Sequence, residues 1–151
     1  MSPISPQFRE LTDRAAILDT VVAYATAVDT KDWEMLAVLF TDDARWEYSA
    51  TGEQHDGPAA IVARISAGLE RLDVTQHLNG NHVITLHAGE AEHTCYYHAQ
   101  HICRGLSGGE NFLAGGSYHD RLRRTTNGWR FVSRSLSSSW SEGNPAVIGR
   151  R

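Results

Sequence analysis

Apolar residues recur at helical spacing in the first part of the chain and predict an amphipathic helix over about Asp13 to Asp29. Thr12 or Asp13 precedes the pattern and can cap the first backbone N–H groups. Tyr24 lies at the edge of the apolar stripe, and Asp29 ends one of its rows. We expect Asp29 either to lie at the interior or to be an exposed residue at the helix end. The apolar positions are Ile17, Leu18, Val21, Val22, Ala25 and Val28.

Shorter elements follow. A second helix is predicted from about Asp32 to Phe40, then a polar turn and an aromatic-rich strand over 45–48. The stretch 55–58 is predicted as a loop, in which Pro58 begins a third helix that ends at about Leu72.

The second half of the chain is dominated by β-type patterns. Three long strands are predicted over Thr75–His87, Glu92–Arg104 and Phe112–Thr125, and a turn at Asn127–Gly128 leads to a last strand over Trp129–Trp140. Helices followed by strands imply an α+β fold. We expect a cone-shaped α+β barrel, in which a strongly curved antiparallel sheet wraps around the N-terminal helices and encloses a pocket for a small molecule.

Composition limits the domain count and the partners. The chain has 151 residues, 41% of them hydrophobic, which fits a single domain over 1–151. Its formal charge of −4 argues against nucleic acid as a partner. Arginines 121, 123, 124, 130 and 134 are interpreted as the solvent-facing side of a sheet. No apolar window is long enough for a membrane span and no signal peptide is evident, so we expect a soluble, cytoplasmic protein without a membrane partner.

Candidate chemistry begins with His77. On a strand without a bulge, His77, Asn79 and Asn81 share one face, which is either a polar pocket wall or a solvent-facing edge. A neutral histidine beside a carboxylate is a competent general base. Asp29 is the candidate carboxylate.

The next strand carries polar groups on both faces. Tyr96, His98 and Gln100 share one face, and we favour that face as the inner one because it clusters hydrogen-bond donors. The opposite face carries Cys95, Tyr97, Ala99 and His101.

Metal and cofactor signatures are missing from the sequence. The eight histidines show no spacing typical of a metal site, so we expect no metal. Cys95 and Cys103 form no paired motif and are expected to be free thiols in a reducing compartment. No Walker loop, dinucleotide fingerprint or nucleophile elbow is present, and we expect no cofactor.

Three local patterns together resemble the SnoaL-like branch of the nuclear-transport-factor-2-like superfamily. The first is Tyr24 and Asp29 at the end of the first helix, followed by Asp32-Trp33 and the stretch LAVLFTDDARWEY. The second is His77 and Asn81 at the start of the first long strand. The third runs from Gly116 to Asp120 and on to Phe131. They span about residues 10 to 140, and the resemblance implies the cone fold.

Within that superfamily the arrangement looks closest to the lyases, among them scytalone dehydratase, bile-acid dehydratase and hexachlorocyclohexane dehydrochlorinase. The resemblance implies that His77 and Asp29 are the catalytic pair and that Tyr24 corresponds to a tyrosine of the bile-acid enzyme. A second polar residue on the next strand assists in the dehydratases. His98 is the nearest match to it, and Gln100 is second.

These inferences predict a cofactor-independent lyase acting on a small, fairly hydrophobic, cyclic substrate. His77 removes a proton, Asp29 orients it, and Tyr24 with His98 or Tyr48 donates a hydrogen bond. The remaining expected substrate contacts are Trp33, Phe40, Trp46, Tyr96, Asn81, Gln100 and Tyr118.

Two alternatives remain. One is a polyketide cyclase or an enzyme like ketosteroid isomerase, for which Asp120 is the available second acid. The other is a non-catalytic small-molecule-binding protein. In either case, apolar residues in excess of one core face predict a homo-dimer or homo-trimer built through the sheet. These residues are Leu78, Ile84, Leu86, Ile102, Leu122 and Val132.

Overall fold

The computed structural model describes residues 4–149, within which the chain forms three α-helices, six strands and a short 3-10 helix. The helices are α1 (Pro6–Thr30), α2 (Trp33–Val38) and α3 (Pro58–Leu69). The strands are β1 (Phe40–Tyr48), β2 (Glu53–Asp56), β3 (Val74–His87), β4 (Glu90–Ile102), β5 (Asn111–Thr125) and β6 (Gly128–Gly143), and the 3-10 helix is Pro145–Ile148. The predicted α+β cone is confirmed.

The described strands form one sheet in the order β2-β1-β6-β5-β4-β3. Four of the neighbouring pairs are antiparallel, but β1 runs parallel to β6, with Trp46 opposite Arg134. The sheet is therefore mixed rather than wholly antiparallel. Residues 55 and 56, which were predicted to lie in a loop, belong to strand β2. The four residues of this strand are polar, so no apolar alternation indicates a strand there.

Helix α1 starts one to two turns earlier than predicted. Ser5 is its N-cap and accepts a hydrogen bond from the Phe8 N–H at 3.2 Å, and Pro6 occupies the first turn. The first residues of the helix are solvent-exposed, so hydrophobic spacing alone cannot reveal them.

The buried row of α1 runs through Ile17, Val21, Tyr24 and Val28, whereas Val22 is 58% exposed. Of the six predicted apolar positions, Ile17, Val21 and Val28 are therefore confirmed as buried, whereas Val22 is not. Tyr24 lies in the centre of the buried face instead of at its edge. It packs edge-on against Phe40 and Phe131.

The inner face of the sheet packs on α1 to form the core. Leu122 is part of this core, and Ile84 and Leu86 pack against it, so these three do not form the exposed apolar face expected from the sequence. The large apolar side chains that remain exposed on the sheet are Leu78, Val83, Tyr96 and Trp140.

The structure corrects the interpretation of Arg134 as a solvent-facing residue. Its side chain is 0% exposed and makes two hydrogen bonds of 2.8 Å to Asp120. The guanidinium lies 4.2 Å from the ring centroid of Tyr24 and 3.9 Å from that of Tyr118. A register shift in the β5–β6 pairing brings both Phe131 and Arg134 to the inner face.

Gly116 permits a close approach of β5 to β6. A Cβ at this position would overlap the Ser137 carbonyl oxygen and lie 2.7 Å from the Tyr97 hydroxyl oxygen. Gly116→Ala is expected to lower the free energy of unfolding by about 1–3 kcal/mol, because backbone and a packed ring must move. Urea denaturation measures this, with Gly80→Ala as control, since a Cβ at Gly80 meets nothing within 4 Å. Equal stability losses in the two variants would contradict the prediction.

Candidate active site

Asp29 and His77 meet where the end of α1 faces the start of β3. Asp29 Oδ1 lies 2.7 Å from His77 Nδ1 and accepts a second hydrogen bond from the Thr75 hydroxyl at 3.0 Å. Asp29 Oδ2 accepts the backbone N–H of His77 at 2.8 Å. Backbone and side-chain contacts together therefore fix the carboxylate relative to the imidazole ring.

The charge state of Asp29 follows from these contacts. Burial alone would raise its pKa, but the hydrogen bonds and charge of His77, with the Thr75 hydroxyl, outweigh burial and lower the pKa of Asp29. The ionised carboxylate holds a ring proton on His77 Nδ1, so this proton remains on Nδ1 in the unprotonated form of the imidazole. The other ring nitrogen, Nε2, then carries a lone pair and can accept a proton.

His77 lines a cavity of about 180 Å³ between the helices and the inner face of the sheet. Tyr24 and Val28 from α1 and Ile65 from α3 contribute one side. The sequence-predicted contacts Trp46, Tyr48 and Tyr118 also line it. The wall further includes Tyr97, Ala99, His101, Phe112, Ala114, Leu136 and Ile148.

His101 is a cavity residue that the sequence analysis assigned to the opposite face. Its ring is edge-on to that of His77, with centroids 6.0 Å apart, and its Nδ1 lies 3.2 Å from the Phe112 carbonyl oxygen. Burial, followed by the charge of His77, lowers the pKa of His101 to about 4. His101 is therefore neutral at physiological pH and donates its Nδ1–H to Phe112, which leaves Nε2 as an acceptor.

The depressed pKa of His101 predicts a loss of stability in acid. The unfolded chain binds this proton with a pKa of about 6.5, so it takes up more protons than the folded chain below that pH. The contribution of His101 is complete above pH 6.5 and is lost progressively as the pH falls toward about 4. Urea denaturation across this range should show a shallower pH dependence for His101→Gln than for the unaltered chain. Identical slopes would contradict the assignment.

The inner face of strand β4 is not the face that was favoured from the sequence but the opposite one. Cys95, Tyr97, Ala99 and His101 face inward, whereas Tyr96 is 58% exposed. Tyr96, His98 and Gln100 lie on the outer face, away from His77. His98 contacts Trp140 there.

Three further expected contacts also lie outside the cavity. Asn81 is exposed with φ 54° at a register shift between β3 and β4, and this bulge breaks the alternation that would have aligned it with His77. Phe40 is buried behind Tyr24. Trp33 is the first residue of α2 and donates its indole N–H to Glu70, just after α3, at 2.9 Å.

Asp120 does not serve as a second acid in the cavity. It is wholly buried, and although burial would raise its pKa, the charge and hydrogen bonds of Arg134 lower it. An ionised carboxylate in an ion pair cannot donate the hydrogen bond that the isomerase chemistry requires.

Within residues 4–149, no helix combines the length and apolar character needed to cross a membrane. Both cysteines are free; Cys95 is buried and Cys103 is half-buried. Cys95 lies close to His82 and His93. Among the described residues, these three form a group whose side chains could bind a metal ion.

Comparisons with known proteins agree with this architecture. The chain is 28% identical over 145 residues to terrestric acid biosynthesis cluster protein E of Penicillium crustosum, which covers 93% of this chain and 92% of that protein. A crystal structure of a Kribbella flavida protein superimposes with a TM-score of 0.86 at 25% identity, covering 93% of this chain and 99% of that one.

Similar structures with enzyme names include two proteins from Novosphingobium. One is a Novosphingobium aromaticivorans protein provisionally named scytalone dehydratase, with a TM-score of 0.80, 24% identity and coverage of 94% and 97%. The other is the type 3 hexachlorocyclohexane dehydrochlorinase of Novosphingobium barchaimii, with a TM-score of 0.78, 19% identity and coverage of 94% and 97%. At these identities both show the shared fold. The SnoaL-like domain model matches residues 9–135, and the chain therefore belongs to the SnoaL-like family.

Proposed function

We propose that the protein is a cofactor-independent lyase that eliminates water or a related leaving group from a small, largely hydrophobic cyclic substrate. The observation that carries the proposal is the 2.7 Å contact between Asp29 Oδ1 and His77 Nδ1 at the wall of a cavity. A histidine whose Nδ1 is held by a carboxylate presents a basic Nε2, as in other histidine bases.

In the proposed reaction, His77 Nε2 removes a proton from the carbon next to the one bearing the leaving group. The electron pair of the broken C–H bond forms the new C=C bond, and the leaving group departs with its own bonding pair. Asp29 stabilises the imidazolium that forms. The proton on His77 then passes to the departing hydroxide or to solvent.

Tyrosine hydroxyls supply donors for a substrate carbonyl or for the leaving group. Burial raises the pKa of both Tyr24 and Tyr118, so these phenols stay protonated and can donate. Tyr48 lies on the same wall. His101 presents an acceptor at Nε2 and would favour a substrate that carries a hydroxyl group.

The volume and the lining of the cavity restrict the size and the polarity of the substrate. A cavity of about 150 Å³ holds one benzene ring, so a cavity of about 180 Å³ suits a single substituted ring. Aromatic and aliphatic side chains form much of the wall, and its polar side chains include those of His77, His101, Arg64 and Ser138. This distribution suits an apolar ring with a few oxygen substituents.

The comparisons support the same reaction class. Two proteins of this fold are named as a dehydratase and a dehydrochlorinase, and both names describe eliminations. The Penicillium relative is named for a biosynthesis cluster, which fits a small organic substrate.

Assembly and location remain proposals. We retain the expectation of a homo-dimer or homo-trimer formed through the outer face of the sheet, in the cytoplasm, without a cofactor. Size-exclusion chromatography with light scattering tests the assembly, and a monomer at micromolar concentration would contradict it.

The test of function uses cyclic β-hydroxy ketones and chlorinated cyclohexanes as probes in D₂O. Elimination is followed by the absorbance of the conjugated enone formed from a hydroxy ketone, or by the release of chloride from a chlorinated cyclohexane. Proton abstraction from the ketone is followed by deuterium exchange at its α-carbon in NMR spectra. The proposal expects elimination from one class of probe. An isomerised product would instead support the isomerase alternative. Saturable probe binding without exchange or elimination would show a binding protein and overturn the lyase.

A further inference from the structure

We propose that His82, His93 and Cys95 form a binding site for a transition-metal ion that favours nitrogen and sulfur ligands, with Zn²⁺ the best match. Their candidate ligand atoms all lie within 4.8 Å of one another. The cluster is separate from the catalytic cavity, which none of the three residues lines. The site is independent of the proposed lyase function.

The fold brings together ligands that the sequence spacing does not suggest. His93 and Cys95 are two residues apart on β4 and both face inward. His82 follows Asn81, whose φ of 54° marks the bulge in β3. This bulge turns the His82 ring onto that of His93, and the two rings stack with centroids 5.2 Å apart.

Asp120 orients His93 for metal binding. Its Oδ2 lies 2.8 Å from His93 Nδ1, so the ring proton is held on Nδ1 and the lone pair of Nε2 is directed away from the carboxylate. Metal-binding histidines characteristically donate their other ring N–H to a carboxylate or a carbonyl. Both side chains of this carboxylate–histidine pair are 0% exposed.

The two histidine rings meet at their nitrogens. His82 Nδ1 lies 2.9 Å from His93 Nε2. Because the contact with Asp120 holds the ring proton of His93 on Nδ1, the lone pair of His93 Nε2 faces the His82 ring. Either a proton or a metal ion can occupy this contact.

Cys95 makes a metal ion the better cation of the two. As a thiolate it would add a soft, anionic third ligand, and the set of two imidazoles and one thiolate suits Zn²⁺. Arg134 is the other charged group near Cys95, and its ion pair with Asp120 offsets its repulsion of a cation.

The geometry requires adjustments of up to about one ångström, because the ligand atoms lie within 4.8 Å of one another and a tetrahedral zinc site holds a sulfur and a nitrogen about 3.6 Å apart. Zn–N bonds of about 2.0–2.1 Å in a tetrahedral site place two ligand nitrogens roughly 3.3 Å apart, a few tenths of an ångström more than the observed separation. His82 is on the solvent side of the cluster and can move by this amount. A water molecule can supply the fourth ligand from that side. The ion would join β3 to β4 at the bulge.

Titration of the EDTA-treated, full-length protein with Co²⁺ tests the site. Binding through a thiolate gives a charge-transfer band in the near ultraviolet, and Zn²⁺ should displace Co²⁺ and remove the band. We expect one ion per chain, loss of the charge-transfer band in Cys95→Ser, and about tenfold or more weaker binding in His82→Gln. His98→Gln is the matched control, because His98 lies exposed on the outer face.

Two results would overturn the proposal. One is Co²⁺ binding of equal affinity in His82→Gln and in the control variant. The other combines two observations on the unaltered protein. Its spectrum with Co²⁺ lacks the charge-transfer band, and its nitrogen NMR signals show a proton shared between the two imidazoles both with and without Zn²⁺. His82 is near the surface, so His82→Gln remains informative if Cys95→Ser fails to fold.

Discussion

Replacing His77 with glutamine is expected to lower kcat for the proposed elimination by about 10²–10⁴-fold, the range typical of a positioned acid–base group. Glutamine has a similar size but cannot take up a proton near neutral pH. The cavity wall is retained, so substrate binding should change much less than kcat. The rate of deuterium exchange into the substrate should fall with kcat, because both require abstraction of the same proton.

Asp29→Asn is the companion variant. The amide removes the negative charge that fixes the proton on Nδ1 and stabilises the imidazolium, so a loss in the same range is expected. His98→Gln is the matched control and should retain full turnover, since His98 lies on the outer face. Turnover that survives in His77→Gln, or that is lost equally in His98→Gln, would contradict the assignment.

Asp120→Asn is expected to destabilise the fold by about 3–5 kcal/mol, because it leaves the buried Arg134 guanidinium without a counterion. Both side chains of this ion pair are 0% exposed. The substitution also disturbs the contact between Asp120 and His93. Urea denaturation at pH 7 measures the change in the free energy of unfolding.

An exposed ion pair provides the control. Glu10 and Arg14 form a pair 2.9 Å apart with side chains about half exposed, and Glu10→Gln should cost less than about 1 kcal/mol. The double variant Asp120→Leu with Arg134→Met removes both charges and should recover much of the stability that Asp120→Asn loses. An Asp120→Asn variant as stable as the Glu10→Gln variant would show that the buried charge is compensated by another group.

Periodicity predicted the main elements because each has one dominant buried face. The apolar spacing around Ile17 and Val21 indicates a helix whatever its exact ends, and the alternation along residues 90–102 indicates a strand. Periodicity could not predict the parallel pairing of β1 with β6. The two strands are about 90 residues apart in the chain, and their contact depends on how the whole sheet is assembled.

The candidate site was predicted in part, for reasons visible at single residues. Asp29 and His77 were predicted together, and the structure places them in contact. His98 and Gln100 were the predicted candidates on β4, and His101 was missed, because polar and aromatic groups occur on both faces of the strand and composition does not show which face is inner. Asn81 and Arg134 were misplaced because a bulge or register shift near each reverses the alternation, and local composition does not reveal it.

The position of β6 in the sheet has a consequence for synthesis of the protein. The strand that leaves the ribosome last inserts between β1 and β5, near the middle of the finished sheet. Until it emerges, the nascent chain holds two separate pieces, β1–β2 and β3–β5, each with an unpaired edge. Non-local pairing of this kind slows folding. The cavity therefore acquires its full wall only once β6 has paired with β1 and β5, and truncation before Phe131 should leave an aggregation-prone chain without it.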